Sequence, residues 1–159
     1  MNSDADEQLL DQAVARGLRF LSRRARTVAE VRSKLEQSST REEIAEAAIL
    51  RISEMGYLDD QSYAVRFAED RRHLDGWGNE RIARRLSELG VERNFIECAL
   101  DDSDRQSELA RAIAILEKRL SEPAVTTPDF RKAMGLLVRR GYDSEIAADA
   151  VRVHANQYG

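Results

Sequence analysis

The residues of this chain that could do chemistry are mainly arginines and lysines, and they are clustered. Seven basic residues and one acid lie between Arg16 and Lys34, and a second basic group runs from Arg71 to Arg85. Acidic stretches follow at 36–60 and 92–108. This segregation predicts either solvated helix faces or basic surfaces that face an anionic partner. The net charge of −4 argues against a dedicated binder of duplex DNA.

Few other residues suggest catalysis or metal binding. The sequence contains no nucleotide-binding glycine loop, no zinc-protease motif and no nucleophile elbow. Asp59–Asp60 could form an acid pair, but their place before a helix favours N-capping. Cys98 is predicted to be a small core residue. Trp77, between two glycines, is either a lid over a helix end or an exposed contact residue. We expect no enzymatic activity, no cofactor and no metal site, since His73 and His154 are far apart in the sequence.

Length and composition bound the protein class. The 159 residues are 42% apolar and 34% charged, which suits one compact domain or a few small modules. No apolar run approaches the roughly 18–20 residues that cross a bilayer. The acidic N-terminus lacks the basic-then-apolar order of a signal peptide. A single cysteine cannot form an internal disulfide. These features predict a soluble, cytoplasmic protein, and we expect a monomer.

The elements that must position these residues are helices. Aromatic residues make up only 6% of the chain, and apolar residues recur at helical spacing throughout, which predicts nine helices. Predicted helix starts are capping boxes at 27–30 and 40–43 and a Thr127 cap before Pro128. Predicted C-terminal caps are Gly56, Gly90 and Gly141.

An internal repeat of 51 residues organises these helices. Five columns keep their character over three copies: Leu35/Leu86/Leu137, Ser39/Gly90/Gly141, Ile44/Phe95/Ile146, Ala48/Ala99/Ala150 and Ile49/Leu100/Val151. We therefore predict an all-α fold of three tandem three-helix units at 8–56, 57–102 and 103–156, after a flexible acidic segment at 1–7. Units stacked in this way predict an elongated, curved array of helices packed at right angles.

Four segments resemble the RecX family of regulatory proteins. They are Gly56–Ala64 (GYLDDQSYA), Gly76–Ile82 (GWGNERI), Leu86–Val91 (LSELGV) and Thr27–Leu35 (TVAEVRSKL). The resemblance covers about 13–155 and is most specific in the middle unit. The chain departs from the family at Leu89, where a basic residue is common, and in its acidic balance.

The resemblance implies an all-helical protein that binds the RecA recombinase and RecA-coated single-stranded DNA. Members of the family lie along the filament groove and restrain filament growth. They thereby lower ATP hydrolysis, strand exchange and RecA-stimulated repressor cleavage, with consequences for recombination, DNA repair and the SOS response. They are modulators without enzymatic activity.

We expect the partner to contact outward-facing basic residues. The candidates are Lys34, Arg71, Arg72, Arg81, Arg85, Lys132, Arg139 and Arg140. Two other functions remain open from the residues alone. One is a direct nucleic-acid-binding module, with weak contact to DNA through clusters such as 16–34. The other is a helical-repeat scaffold for a different partner.

Overall fold

The computed structural model describes residues 3–101 and 104–157, and within them the chain is all helical. The nine α-helices are α1 (Ser3–Leu21), α2 (Val28–Gln37), α3 (Glu42–Glu54), α4 (Asp60–Asp70), α5 (Asn79–Glu88), α6 (Arg93–Asp101), α7 (Arg105–Arg119), α8 (Thr127–Arg139) and α9 (Ser144–Asn156). A one-turn π-helix, Arg71–Asp75, continues α4. The all-α prediction is confirmed.

Local sequence explains most helix starts. Thr27 and Glu30 form the predicted capping box of α2. The box predicted at Thr40 is wrong: Arg41 precedes α3 without a side-chain cap, because Thr40 belongs to the turn that ends α2. The cap of α8 is Thr126, one residue earlier than predicted, and it forms a capping box with Asp129.

The 51-residue repeat recurs in the geometry of three turns. The second residue after the second helix of each copy has a positive φ, at Ser39 (57°), Gly90 (81°) and Gly141 (95°). The next residue in each copy donates its N–H to a carbonyl five residues earlier, at 3.3, 3.1 and 3.2 Å. That carbonyl belongs to a fully buried leucine in every copy: Leu35, Leu86 and Leu137. These bonds are the closing bonds of a Schellman turn.

The chain divides into two compact units. Unit 1 comprises Met1–Ala64 and Leu86–Ile96, and unit 2 comprises Val65–Arg85 and Glu97–Gly159. The core of unit 1 is built mainly from α1, α2 and α3 around Leu35 and Ile52. Gly17 lets α1 and α3 approach closely, since a Cβ at this position would lie 2.6 Å from the Ile52 side chain.

The core of unit 2 is built from α7, α8 and α9. Leu116, Leu137 and Tyr142 are fully buried in it. His154 on α9 is buried as well, and no sequence pattern predicted this. The predicted boundaries at 8–56, 57–102 and 103–156 remain a prediction, as does the elongated, curved shape.

The N-terminal segment and Cys98 differ from what the sequence predicts. The acidic N-terminal segment, predicted to be flexible, is helical from Ser3, and its Asp6 and Glu7 form ion pairs with Arg41 and Arg51 of unit 1. Cys98, predicted to be a core residue, is exposed. The apolar stripe of α6 includes the buried residues Ile96 and Ala99, and Cys98 projects away from it.

Candidate functional site

Basic side chains from several segments of unit 2 converge on an open groove. Its cavity volume is about 930 Å³, and one carboxylate, that of Asp75, belongs to its lining. The basic side chains that line it are Arg72, His73, Arg81, Arg111, Lys118, Arg119, Arg139 and Arg140. We call this site the basic groove. Because most of these groups are permanently charged, the groove attracts anions although the whole chain is acidic.

Backbone hydrogen bonds fix two sides of the basic groove against each other. The Gly78 N–H donates to the Arg140 carbonyl at 2.8 Å, and the Glu80 N–H donates to the Gly141 carbonyl at 3.0 Å. A Cβ at Gly78 would lie 2.6 Å from the Tyr142 nitrogen, so these two backbone segments can come this close only because Gly78 has no side chain. The start of α5 therefore rests on the turn between α8 and α9.

Trp77 forms an aromatic platform at the edge of the basic groove. The Arg81 guanidinium lies 4.1 Å from a ring centroid of Trp77, and that of Arg71 lies 5.8 Å away. Phe67 meets Trp77 edge-on, with centroids 6.2 Å apart. Trp77 is half-buried, which favours the interpretation of a lid over a helix end. Its cation–π contacts hold Arg81 near the groove.

Two candidate arginines hold the turn that follows the π-helix. Arg140 donates from Nη1 to the Asp75 carbonyl at 2.6 Å, and Arg71 pairs with the Asp75 carboxylate at 2.5 Å. The Tyr142 hydroxyl donates to the Gly76 carbonyl at 3.2 Å. Burial raises the pKa of Tyr142, so it stays a donor at neutral pH. Arg71 and Arg140 thus position the groove wall as well as adding charge.

The structure brings together only some of the predicted contact residues. Those that line the basic groove are Arg72, Arg81, Arg139 and Arg140. Arg71 lies beside it, through its contact with Trp77, and Arg85 is exposed on α5 without lining it. Lys132 lines a smaller groove with Arg119 and Asp129. Lys34 lies in unit 1, where its ammonium is 5.6 Å from the Phe20 ring centroid. A partner-binding role for each residue remains a prediction.

Sequence reasoning missed the third wall of the basic groove, which α7 supplies. Arg111, Lys118 and Arg119 all line the groove. Their spacing of seven and eight residues places them on one helix face with Ile115, and this pattern could have been found in the sequence. Lys118 and Arg119 are exposed, and Arg111 is half-buried.

Two carboxylates each cap the N-terminus of a helix to which they do not belong. Asp60 accepts from the Val28 N–H of α2, and Glu108 accepts from the Asn79 N–H of α5, each at 2.9 Å. Val28 and Asn79 are one 51-residue repeat apart. Burial raises the pKa of both carboxyls, although these backbone bonds oppose the effect. Asp59 accepts from the Ser62 N–H, so the predicted capping of the following helix is confirmed for Asp59, whereas Asp60 caps α2 instead.

Within 3–101 and 104–157, no three His, Cys, Asp or Glu side chains are grouped so that they could hold a metal ion. Over the same ranges we find no helix that combines the length and apolar character needed to cross a bilayer.

Comparison with known proteins places the chain in a family. The model of the RecX first three-helix domain matches residues 13–51, and that of the RecX second three-helix domain matches residues 59–100. This chain belongs to the RecX family. The regulatory protein RecX of Mycolicibacterium vanbaalenii is 33% identical to it over 94% of this chain and 86% of its own length. That of Thermobifida fusca is 32% identical over 94% and 82%.

Solved RecX structures share the fold. The crystal structure of RecX from Lactobacillus salivarius superposes with a TM-score of 0.84 over 95% of this chain and 99% of that chain, at 21% identity. A second crystal structure, of regulatory protein RecX, gives a TM-score of 0.74 over 89% of this chain and 71% of that one, at 22% identity. The chain therefore shares its fold with these two RecX structures.

Proposed function

We propose that this RecX-family protein binds the RecA recombinase and its filament on single-stranded DNA, and that the basic groove of unit 2 is a contact surface. The observation that carries the proposal is the convergence of seven arginine and lysine side chains from four segments on one concave surface. Family membership supplies the class of partner. The protein acts by binding, without catalysis, and its location is the cytoplasm, where the proposed partner assembles on DNA.

The groove suits a partner with an anionic surface. Four of its cations are exposed: Arg81, Lys118, Arg119 and Arg139. Exposed charges of one sign accelerate association with a complementary surface and set its orientation, and their effect weakens as salt rises. Because the whole chain carries a net charge of −4, its non-specific attraction to polyanions is weak.

Regulation follows if binding differs between the states of the filament. A filament presents the same surface at every subunit, so a protein that contacts adjacent subunits gains affinity from several modest contacts made together. It shifts the assembly equilibrium only when its affinity for the assembled and disassembled states differs. We propose that such differential binding restrains filament growth and lowers ATP hydrolysis, strand exchange and coprotease activity.

A RecA ATPase titration tests the proposal. The wild-type protein is expected to inhibit DNA-dependent ATP hydrolysis, and the double variant Arg119→Glu/Arg139→Glu is expected to require about tenfold more protein for the same inhibition. Both side chains are exposed, so the variant should melt like the wild type. The matched control is Arg66→Glu/Arg131→Glu, which makes the same charge change at exposed positions outside the groove and outside the 16–34 cluster. Equal inhibition by both double variants would remove the groove from the mechanism.

The second candidate function is direct binding of nucleic acid, because the same cations could contact phosphates. A salt titration separates the two functions. A direct DNA binder holds naked single strands at near-physiological salt and loses affinity steeply as salt rises. A filament modulator binds RecA-coated strands under conditions where naked strands bind poorly. A scaffold for another partner would leave the ATPase unaffected even at stoichiometric protein.

A further inference from the structure

One apolar side chain stands out within the basic groove. Leu74, on the π-helix between α4 and Gly76, has 74% of its surface exposed and lines the groove. Single exposed leucines are common on protein surfaces. Leu74 differs because it belongs to a concave site whose lining also includes the side chains of Ile115 and Leu136.

The exposure of Leu74 is imposed by a turn that is held at several points. Asp75, the next residue, is bound through its carboxylate by Arg71 and through its carbonyl by Arg140. The Gly76 carbonyl accepts from Tyr142, and Gly76 adopts a φ of 65°. Three hydrogen-bonded side chains therefore fix the backbone just after Leu74.

The combination of an exposed leucine and surrounding cations restricts the ligand that fits. Phosphates of a nucleic acid would pair with the cations but would gain little from a leucine. A protein segment with carboxylates and one apolar side chain would satisfy both, since apolar burial adds affinity and the charges set the register. An apolar centre surrounded by a polar rim is the usual plan of a protein–protein interface.

We infer that the basic groove takes an acidic protein segment carrying an apolar side chain that packs on Leu74. The inference rests on the proposed function in assigning this groove to a protein partner, and it adds the chemical class of the segment. Leu74 is the apolar anchor, and Arg119 and Arg139, which line the same groove, contact carboxylates of the segment.

Peptide binding tests the inference directly. The probes are two fluorescein-labelled acidic peptides, one with a central leucine and one with serine in its place, and a labelled single-stranded oligonucleotide of thymidines. In fluorescence anisotropy at about 0.15 M salt, we expect the leucine peptide to bind the full-length protein about tenfold more tightly than the serine peptide. We also expect it to bind more tightly than the oligonucleotide.

Variants of the protein assign the effect to Leu74. Leu74→Ser should abolish the preference for the leucine peptide, and Leu74→Met should retain it. The matched control is Leu50→Ser, because Leu50 is 61% exposed on α3 in unit 1, outside the groove. A preference that survives Leu74→Ser overturns the inference, as does tighter binding of the oligonucleotide than of the leucine peptide.

The recombinase assay distinguishes failure of this inference from failure of the proposed function. If Arg119→Glu/Arg139→Glu weakens RecA inhibition and Leu74→Ser does not, the anchor is wrong and the proposed function stands. If the peptide preference depends on Leu74 but neither variant changes inhibition, the ligand class stands and the proposed function is wrong.

Discussion

Glu108 is a buried carboxylate that caps a helix, and its burial makes the charged form less stable. It is only 6% exposed and accepts the Asn79 N–H at the start of α5, next to the basic groove. Burial raises its pKa in the folded state above the unfolded value of about 4.3. As pH rises through the window between these two pKa values, the native state holds the proton longer than the unfolded state. The free energy of unfolding therefore falls across this window.

The variant Glu108→Gln isolates this effect, because glutamine keeps the acceptor oxygen without the charge. We expect it to be at least as stable as the wild type at pH 7, and we expect the wild type to gain relative to it as pH falls toward about 4. Denaturant unfolding at several pH values measures the difference. Glu108→Ala, which removes the cap, should lose about 1 kcal/mol at pH 7. A pH-independent difference between wild type and Glu108→Gln would contradict the shifted pKa.

At the scale of elements, two helix starts are hydrogen-bonded to turns that lie 62 residues later in the chain. The Thr27 hydroxyl donates to the Leu89 carbonyl at 2.6 Å within unit 1. The Gly78 N–H donates to the Arg140 carbonyl within unit 2. Both donors and both acceptors are 51 residues apart, so the repeat extends to contacts between elements. A glycine follows the acceptor in both cases, and each approach leaves no room for a Cβ there.

Alanine substitutions at two glycines separate the energetic cost of a steric conflict from that of a positive φ. Gly141 has a φ of 95°, and a Cβ on it would lie 2.6 Å from the Arg81 nitrogen. Gly56 has a φ of 86°, with no other atom within 4 Å of an added Cβ. We expect Gly56→Ala to cost about 1–2 kcal/mol from positive φ alone. Gly141→Ala should cost at least about 3 kcal/mol, since the steric conflict with α5 is added to the φ term. Thermal and denaturant unfolding measure both, and equal losses would contradict the close packing.

At the scale of the whole molecule, the repeat predicts that equivalent residues share one structural role. Leu35, Leu86 and Leu137 are each fully buried and each accepts the closing bond of its turn. A further column of the repeat, Val31/Ile82/Ala133, is fully buried in all three copies. Three tandem copies thus agree in burial as well as in backbone geometry.

Aspartate at these leucines tests the equivalence. Leu35→Asp, Leu86→Asp and Leu137→Asp should each lower the free energy of unfolding by at least about 4 kcal/mol, because each buries an unpaired charge and removes core contacts. That loss is a large part of a typical total of about 5–15 kcal/mol. Leu50→Asp, at a 61% exposed position, is the matched control. Soluble Leu86→Asp protein with unchanged melting would refute the repeat register.

The sequence alone determined the fold class, the turn glycines, the capping box at Thr27 and the 51-residue repeat. These depend on interactions within a few residues along the chain, where apolar spacing, positive φ and short polar caps act locally. The two wrong predictions of helix caps reflect competition between neighbouring residues. Thr40 takes part in a turn in place of a cap, and Thr126 displaces Thr127.

Tertiary structure alone decided which charges meet. Arg72 and Arg140 are distant in sequence from Arg111 and Arg119, yet all four line one groove, whereas Arg85, four residues from Arg81, does not. Charge spacing along the chain says little about this, because electrostatic attraction depends on distance in space, and packing of distant elements sets that distance. The same reason explains why Leu74 became a candidate anchor only once the turn around it was known.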